Sequence, residues 1–121
     1  MIRPRREDVD AHLPLKPLVF QVLLALADGE RHGWALVREV QMRGGFEGVM
    51  PGNFYRTLRT MLADGFIEET GDVRDRRHDD ERRRYFRLTP LGSAVATAEA
   101  RRLESLLLEA RAKRLLPKSR S

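Results

Sequence analysis

The 121-residue chain has no cysteine, which excludes disulfides and thiolate metal sites and makes a cytoplasmic location the default expectation. No apolar run approaches the roughly 18 residues needed to span a bilayer, so no membrane contact is expected. The amino terminus, Met1-Ile2-Arg3-Pro4-Arg5-Arg6-Glu7-Asp8, lacks the apolar stretch of a secretory signal. Histidines are few and scattered: His12, His32 and His78 have no ligand-spaced neighbour of the HExxH kind. Asp79 and Asp80 are adjacent carboxylates in a charged stretch with no pocket to raise a pKa. The glycines follow no phosphate-loop spacing. The sequence thus offers no catalytic constellation, no metal site and no cofactor motif, and an enzyme is not expected.

Lysine is scarce too. Of the 23 cations only Lys16, Lys113 and Lys118 are lysines, the rest being arginine. The net charge of +5 and a pI near 10.4 point toward a polyanionic partner. Arginine's planar fork matches phosphate oxygens and guanine edges. A GC-rich genome gives the same skew, so composition does not decide the matter. Hydrophobic residues at 41% and charged ones at 34% describe a soluble globular chain, of a length that suits one domain with a projecting element.

Residues 1–14 are polar, contain proline and show no clear period, which reads as a flexible arm. Leu18 to Ala27 gives a largely buried first helix, with Pro17 at its first position and Asp28-Gly29 ending it. A second helix is predicted from Gly33 to Arg43, with Leu36, Val37 and Val40 on one face, stopped by Gly44-Gly45. The third runs from Pro51 to Asp64. At 100° per residue Phe54, Leu58, Met61 and Leu62 share one face, while Arg56, Arg59, Thr60 and Ala63 share the opposite one. Phe66-Ile67-Glu68-Glu69 and Arg84-Tyr85-Phe86-Arg87-Leu88 read as paired strands flanking a long charged hairpin. Thr89-Pro90 then starts a last helix that reaches about Arg114, before Pro117 and a basic tail.

Three short helices followed by a hairpin is the order of a winged helix-turn-helix, a mainly α fold whose third helix enters the major groove. The inserted face needs donors and little negative charge. Arg56, Arg59 and Thr60 meet that need, Tyr55 at the face's edge could donate to a phosphate, and Asn53 at the helix start could reach a base or a phosphate. On an isolated helix these arginines would be ordinary solvated cations; the flanking helices and the hairpin argue otherwise. In the hairpin, Asp79, Asp80 and Glu81 precede Arg82, Arg83 and Arg84, so its positive end is the returning strand, which is expected to track phosphates.

Three stretches together resemble the PadR family of transcriptional regulators. They are Leu23-Leu24-Ala25-Leu26 with Glu30-Arg31-His32-Gly33-Trp34; Pro51-Gly52-Asn53-Phe54-Tyr55-Arg56-Thr57-Leu58 with Leu62-Ala63-Asp64-Gly65-Phe66-Ile67; and Arg82 through Gly92. The resemblance covers nearly all of residues 15–112. It implies a homodimer, an operator in double-stranded DNA with two-fold symmetry, and repression released by a small-molecule effector. It also puts Tyr55 and Arg56 at the DNA end of the recognition helix and Arg82 to Arg84 in the wing strand. Trp34, Asn53, Phe54 and Phe86 depart from the family's usual residues without a change of shape. A single long carboxy-terminal helix matches the family's shorter members.

The domain plan is therefore an arm (1–14), a DNA-binding domain (15–89), a dimerisation helix (90–116) and a tail (117–121). The last helix displays Leu91, Val95, Ala98, Leu103, Leu106, Leu107 and Ala110, a surface wider than one small domain can cover, so a partner helix is expected on it. Trp34 lies off the face of Leu36, Val37 and Val40; it either packs internally or lines an effector cavity with Phe20. Two further readings remain beside the regulator. One is a winged-helix module that binds protein rather than DNA, and the other is RNA binding, for which exposed aromatics beyond Tyr55 and Tyr85 are lacking.

Overall fold

A computed structural model describes residues 3–70 and 84–117. The element order is α1 (Arg6–Asp10), α2 (Pro17–Leu26), β1 (Arg31–His32), α3 (Gly33–Gln41), α4 (Pro51–Ala63), β2 (Ile67–Thr70), β3 (Tyr85–Leu88) and α5 (Pro90–Ala112). Pro17, Pro51 and Pro90 each stand at the start of a helix, where the missing N–H has no intrahelical partner to lose. The strands form one antiparallel sheet in the order β1-β3-β2. Phe86 points into the core and Tyr85 and Arg87 point outward, the alternation expected of a half-buried strand.

The core is built where helical and strand faces meet. Val22, Leu23 and Leu26 of α2 close against Leu36, Val37 and Val40 of α3 and Phe54, Leu58 and Met61 of α4, with Ile67, Phe86 and Val95 beneath. All of these are at most 2% exposed.

A tight junction joins the end of α4 to the start of α5. Gly65, at φ +81°, takes the left-handed conformation that L side chains avoid. Its N–H donates to the Leu62 carbonyl and that of Phe66 to the Met61 carbonyl, the paired bonds of a Schellman ending. Thr89 then ties this turn to α5: its hydroxyl donates to the Gly65 carbonyl at 2.5 Å and accepts from the Gly92 N–H at 3.0 Å. Gly92 itself crosses the Phe66 backbone so closely that a β-carbon there would lie 1.9 Å from the Phe66 carbonyl oxygen. Backbone cannot swing aside as a side chain can. Gly92→Ala is therefore expected to destabilise the protein by about 3 kcal/mol or more, at the upper end of overpacking costs, with a clear fall in the thermal unfolding midpoint.

Three features differ from the sequence reading. Within the segment expected as a flexible arm, residues 6–10 form α1, which packs on α5 and buries Val9. With a single apolar residue that helix carries no amphipathic signal. The two-residue β1 adds a third strand, Arg31 opposite Phe86 and His32 opposite Tyr85. Finally, Val95, expected on the dimerisation face, is fully buried in the chain's own core, and Leu91 and Ala98 pack against that core. Apolar spacing on α5 marks what needs covering; it does not say what covers it.

Candidate nucleic-acid interface

The exposed face of α4 follows from how the helix is pinned. Phe54, Leu58 and Met61 sit at helical spacing and are at most 1% exposed, so burying them fixes the rotation of the whole helix. The opposite side then has to face solvent. Asn53, Arg56, Arg59, Thr60 and Ala63 are all exposed there, along with Gly52. No carboxylate interrupts this face between Pro51 and Ala63. The hydroxyl of Thr60 donates to the Arg56 carbonyl at 3.2 Å, leaving its oxygen as an acceptor toward solvent. The hydroxyl of Thr57 likewise donates to the Asn53 carbonyl at 3.1 Å.

Tyr55 departs from expectation. It was expected at the edge of the exposed face, but it is 8% exposed with its hydroxyl buried, and its ring meets that of Phe54 edge-on at 5.9 Å. The phenol offers enough apolar ring to join the core, and one residue from Phe54 it falls beside the buried face rather than across from it. A phosphate cannot reach it there.

The root of the wing is held by ion pairs between neighbouring strands. Arg87 meets Glu68, its partner in register, at 2.7 Å, and Arg84 meets Glu69 at 2.9 Å. Arg84 is half-buried, and its carbonyl accepts from the Gly33 N–H at 2.8 Å. Its first structural role is thus to fasten the wing to α3, a role the sequence reading assigned to none of the wing arginines. Glu69, two residues from the register position opposite Arg84, was the available signal for its ion pair. Arg82 and Arg83, the other two expected wing contacts, lie outside the described residues.

Trp34 on α3 is 43% exposed, and Phe20 on α2 is half-buried. Open clefts lie between α1 and α5, lined by Val9, Leu13, Ala98 and Arg102, and beside the wing root, lined by Glu30, Glu68, Arg87 and Ser93. Neither cleft includes Trp34 or Phe20. Along α5 the burial changes midway. Leu103 and Ala110 are half-buried, whereas Leu106, Leu107 and Leu108 are exposed at 49%, 45% and 60%. Leu115 and Leu116 just beyond are exposed as well. Among the described residues no group of three acidic or histidine side chains could hold a metal, and no helix is long and apolar enough to cross a membrane.

Comparison with known proteins accords with this geometry. Residues 22–98 match the transcriptional regulator PadR-like family. The chain is 40% identical over 88 residues to the transcriptional regulator Rv3488 of Mycobacterium tuberculosis, covering 73% of this chain and 77% of that protein. Among solved structures it resembles ZitR of Lactococcus lactis, with a TM-score of 0.61 at 17% identity, over 93% of this chain and 67% of that one. It also resembles the adhesin competence repressor of Streptococcus pyogenes, with a TM-score of 0.56 at 16% identity, over 88% and 71% of the two chains. The structural likenesses carry the winged-helix fold, and the family match carries the function. By this match and this relative, the chain belongs to the PadR-like family and is a DNA-binding transcriptional regulator.

Proposed function

We propose that this regulator acts as a homodimer on a two-fold symmetric operator in double-stranded DNA, represses transcription there, and releases the DNA when a small molecule binds. It works in the cytoplasm and catalyses no reaction. Residues 15–89 read the DNA, and the exposed part of α5 beyond Glu99, with the residues up to 116, pairs the two copies. The observation that carries the proposal is the outward face of α4, where Asn53, Arg56, Arg59 and Thr60 are exposed on a helix with no carboxylate in its own sequence. Arg56 and Arg59 read base edges, while Asn53 and Thr60 supply shorter contacts. Arg82 and Arg83 hold the phosphates, while Arg84, paired with Glu69, anchors the start of β3.

Pairing is supported by Leu106, Leu107 and Leu108, three consecutive large apolar side chains that the chain's own domain leaves exposed. Two copies joined there place two recognition helices about one DNA turn, roughly 34 Å, apart. The exposed Trp34 ring, with Phe20 on the neighbouring helix, is the surface proposed to meet an effector.

Two measurements test this. A labelled duplex should lose affinity linearly in log salt, with a slope of about −0.9 per phosphate neutralised, and light scattering should give a mass of about twice the 14.0 kDa chain. Binding that ignores salt, or a mass of one chain, contradicts the proposal.

A further inference from the structure

The side of α5 that faces the domain is a stripe of three buried residues, Gly92, Val95 and Glu99. Gly92 seats the helix on Phe66 and Val95 enters the core. At the third position, where the same spacing calls for another valine or leucine, stands a carboxylate that is 2% exposed. Burying a charge is costly unless it is paired and hydrogen-bonded. Glu99 has both kinds of partner. Its Oε2 accepts from the Leu15 N–H at 3.2 Å, 84 residues away in sequence and just before α2. Arg102 grips the same carboxylate through Nε to Oε1 at 2.5 Å and Nη2 to Oε2 at 3.0 Å. These hydrogen bonds, that from Arg102 first, hold the carboxyl below its ordinary range despite the opposing effect of burial.

Glu99 is also the last buried residue before the helix leaves the domain. From Glu104 to Glu109 every side chain is exposed, including the leucines proposed to pair the two copies. It therefore stands where the DNA-reading unit ends and the dimerising part of the helix begins. A buried ion pair is rarely more stabilising than a well-packed apolar pair, but its bonds are directional. The two guanidinium bonds lie within α5 and hold the carboxylate in one rotamer, so that its one bond out of the helix, from the Leu15 N–H, ties α5 to the residues just before α2.

We propose that Glu99 is a positioning residue for DNA recognition: Arg102 holds its carboxylate where it accepts from the Leu15 N–H, and that bond fixes the angle at which α5 leaves the domain, and so sets the distance between the two recognition helices. The inference rests on the homodimer proposed above. Over a lever arm on the scale of a small domain, about 15–20 Å, a tilt of about 10° moves the recognition helix by about 3 Å, close to the rise of one base pair. A small error at Glu99 becomes a register error on the operator.

The test is selectivity for half-site spacing. Wild-type protein selects a two-half-site duplex from random DNA, and the probes are that duplex and its versions with one base pair inserted or removed between the half-sites. Wild type is expected to lose affinity on the order of tenfold for the altered spacings, as for a mismatched site. Glu99→Leu, shown by light scattering to remain a dimer, is expected to bind all three alike while keeping its affinity for a single half-site. Loss of stability alone would not flatten spacing preference in the folded fraction. A wild type indifferent to spacing, or a Glu99→Leu dimer as selective as wild type, overturns the proposal. Should Glu99→Leu fail to fold, Glu99→Gln decides: it keeps an acceptor for Leu15 but no charge for Arg102, and undiminished selectivity there is equally fatal. A monomeric wild type instead overturns the dimer reading on which the proposal depends.

Discussion

Replacing both Arg56 and Arg59 by alanine should leave a folded protein that still holds duplex DNA but hardly distinguishes its operator from other sequences. Both side chains are exposed on α4, on the side away from its core face, and surface substitutions usually change stability by about 0.5 kcal/mol or less. The core face of the same helix, Phe54, Leu58 and Met61, is untouched. What is lost is the bidentate hydrogen bonding of two guanidinium groups to base edges. Each such pair discriminates by about 1–3 kcal/mol, roughly 5- to 150-fold in relative affinity. Competition between operator and scrambled duplex reads this directly. Arg83→Ala provides the contrast: it should lower affinity for both duplexes to a similar extent, because a phosphate contact carries no sequence information.

The second large effect is expected on the dimer. Leu106→Glu together with Leu107→Glu places two charges on side chains that are 49% and 45% exposed in the single chain. The domain's own packing loses little by this, whereas an apolar interface between two copies cannot accept four buried carboxylates. The variant should run as a monomer by light scattering. With only one recognition helix per molecule, it forfeits the gain from joining two binding events, on the order of 10²- to 10⁴-fold in operator affinity. Affinity for a single half-site should stay as it was. If the double variant remained a dimer, the leucine surface would not be the interface.

Much of this architecture was legible in the sequence because helix faces announce themselves. The burial of Phe54, Leu58 and Met61 follows from a 3.6-residue period over thirteen residues, and the exposure of Arg56 and Arg59 is its complement. The Thr89-Pro90 start of α5 was equally plain, since a hydroxyl before proline is a strong capping signal. Short elements fared differently. β1 is two residues long and has no period to detect; it exists because Arg31 and His32 fall opposite Phe86 and Tyr85 of a strand more than fifty residues later.

The site was harder to read than the fold, for two reasons. Periodicity marks a residue as apolar-facing but does not name its neighbour, so Val95 was assigned to a partner when the chain's own core covers it. Amphipathic residues are ambiguous in a related way. Tyr55 can present either ring or hydroxyl, and only the packing around Phe54 decides for the ring. Charges can be misplaced as well: Arg84 belongs to a run of three arginines, yet the acid that holds it, Glu69, lies across the hairpin. Glu99 shows little of its burial in the sequence, because a single glutamate on a charged helix looks like a solvated one. The clue was its place in the inward stripe with Gly92 and Val95, three residues before an arginine.

Everything turns on whether the outward side of α4 occupies the major groove. Methylation protection of guanine N7 on the selected operator tests that most directly, because this atom lies on the major-groove edge that an arginine fork would cover. Two blocks of protected guanines, about one helical turn apart and both lost with Arg56→Ala and Arg59→Ala, are the expected result. Tight binding that leaves every guanine N7 in the site as reactive as in free DNA would contradict it.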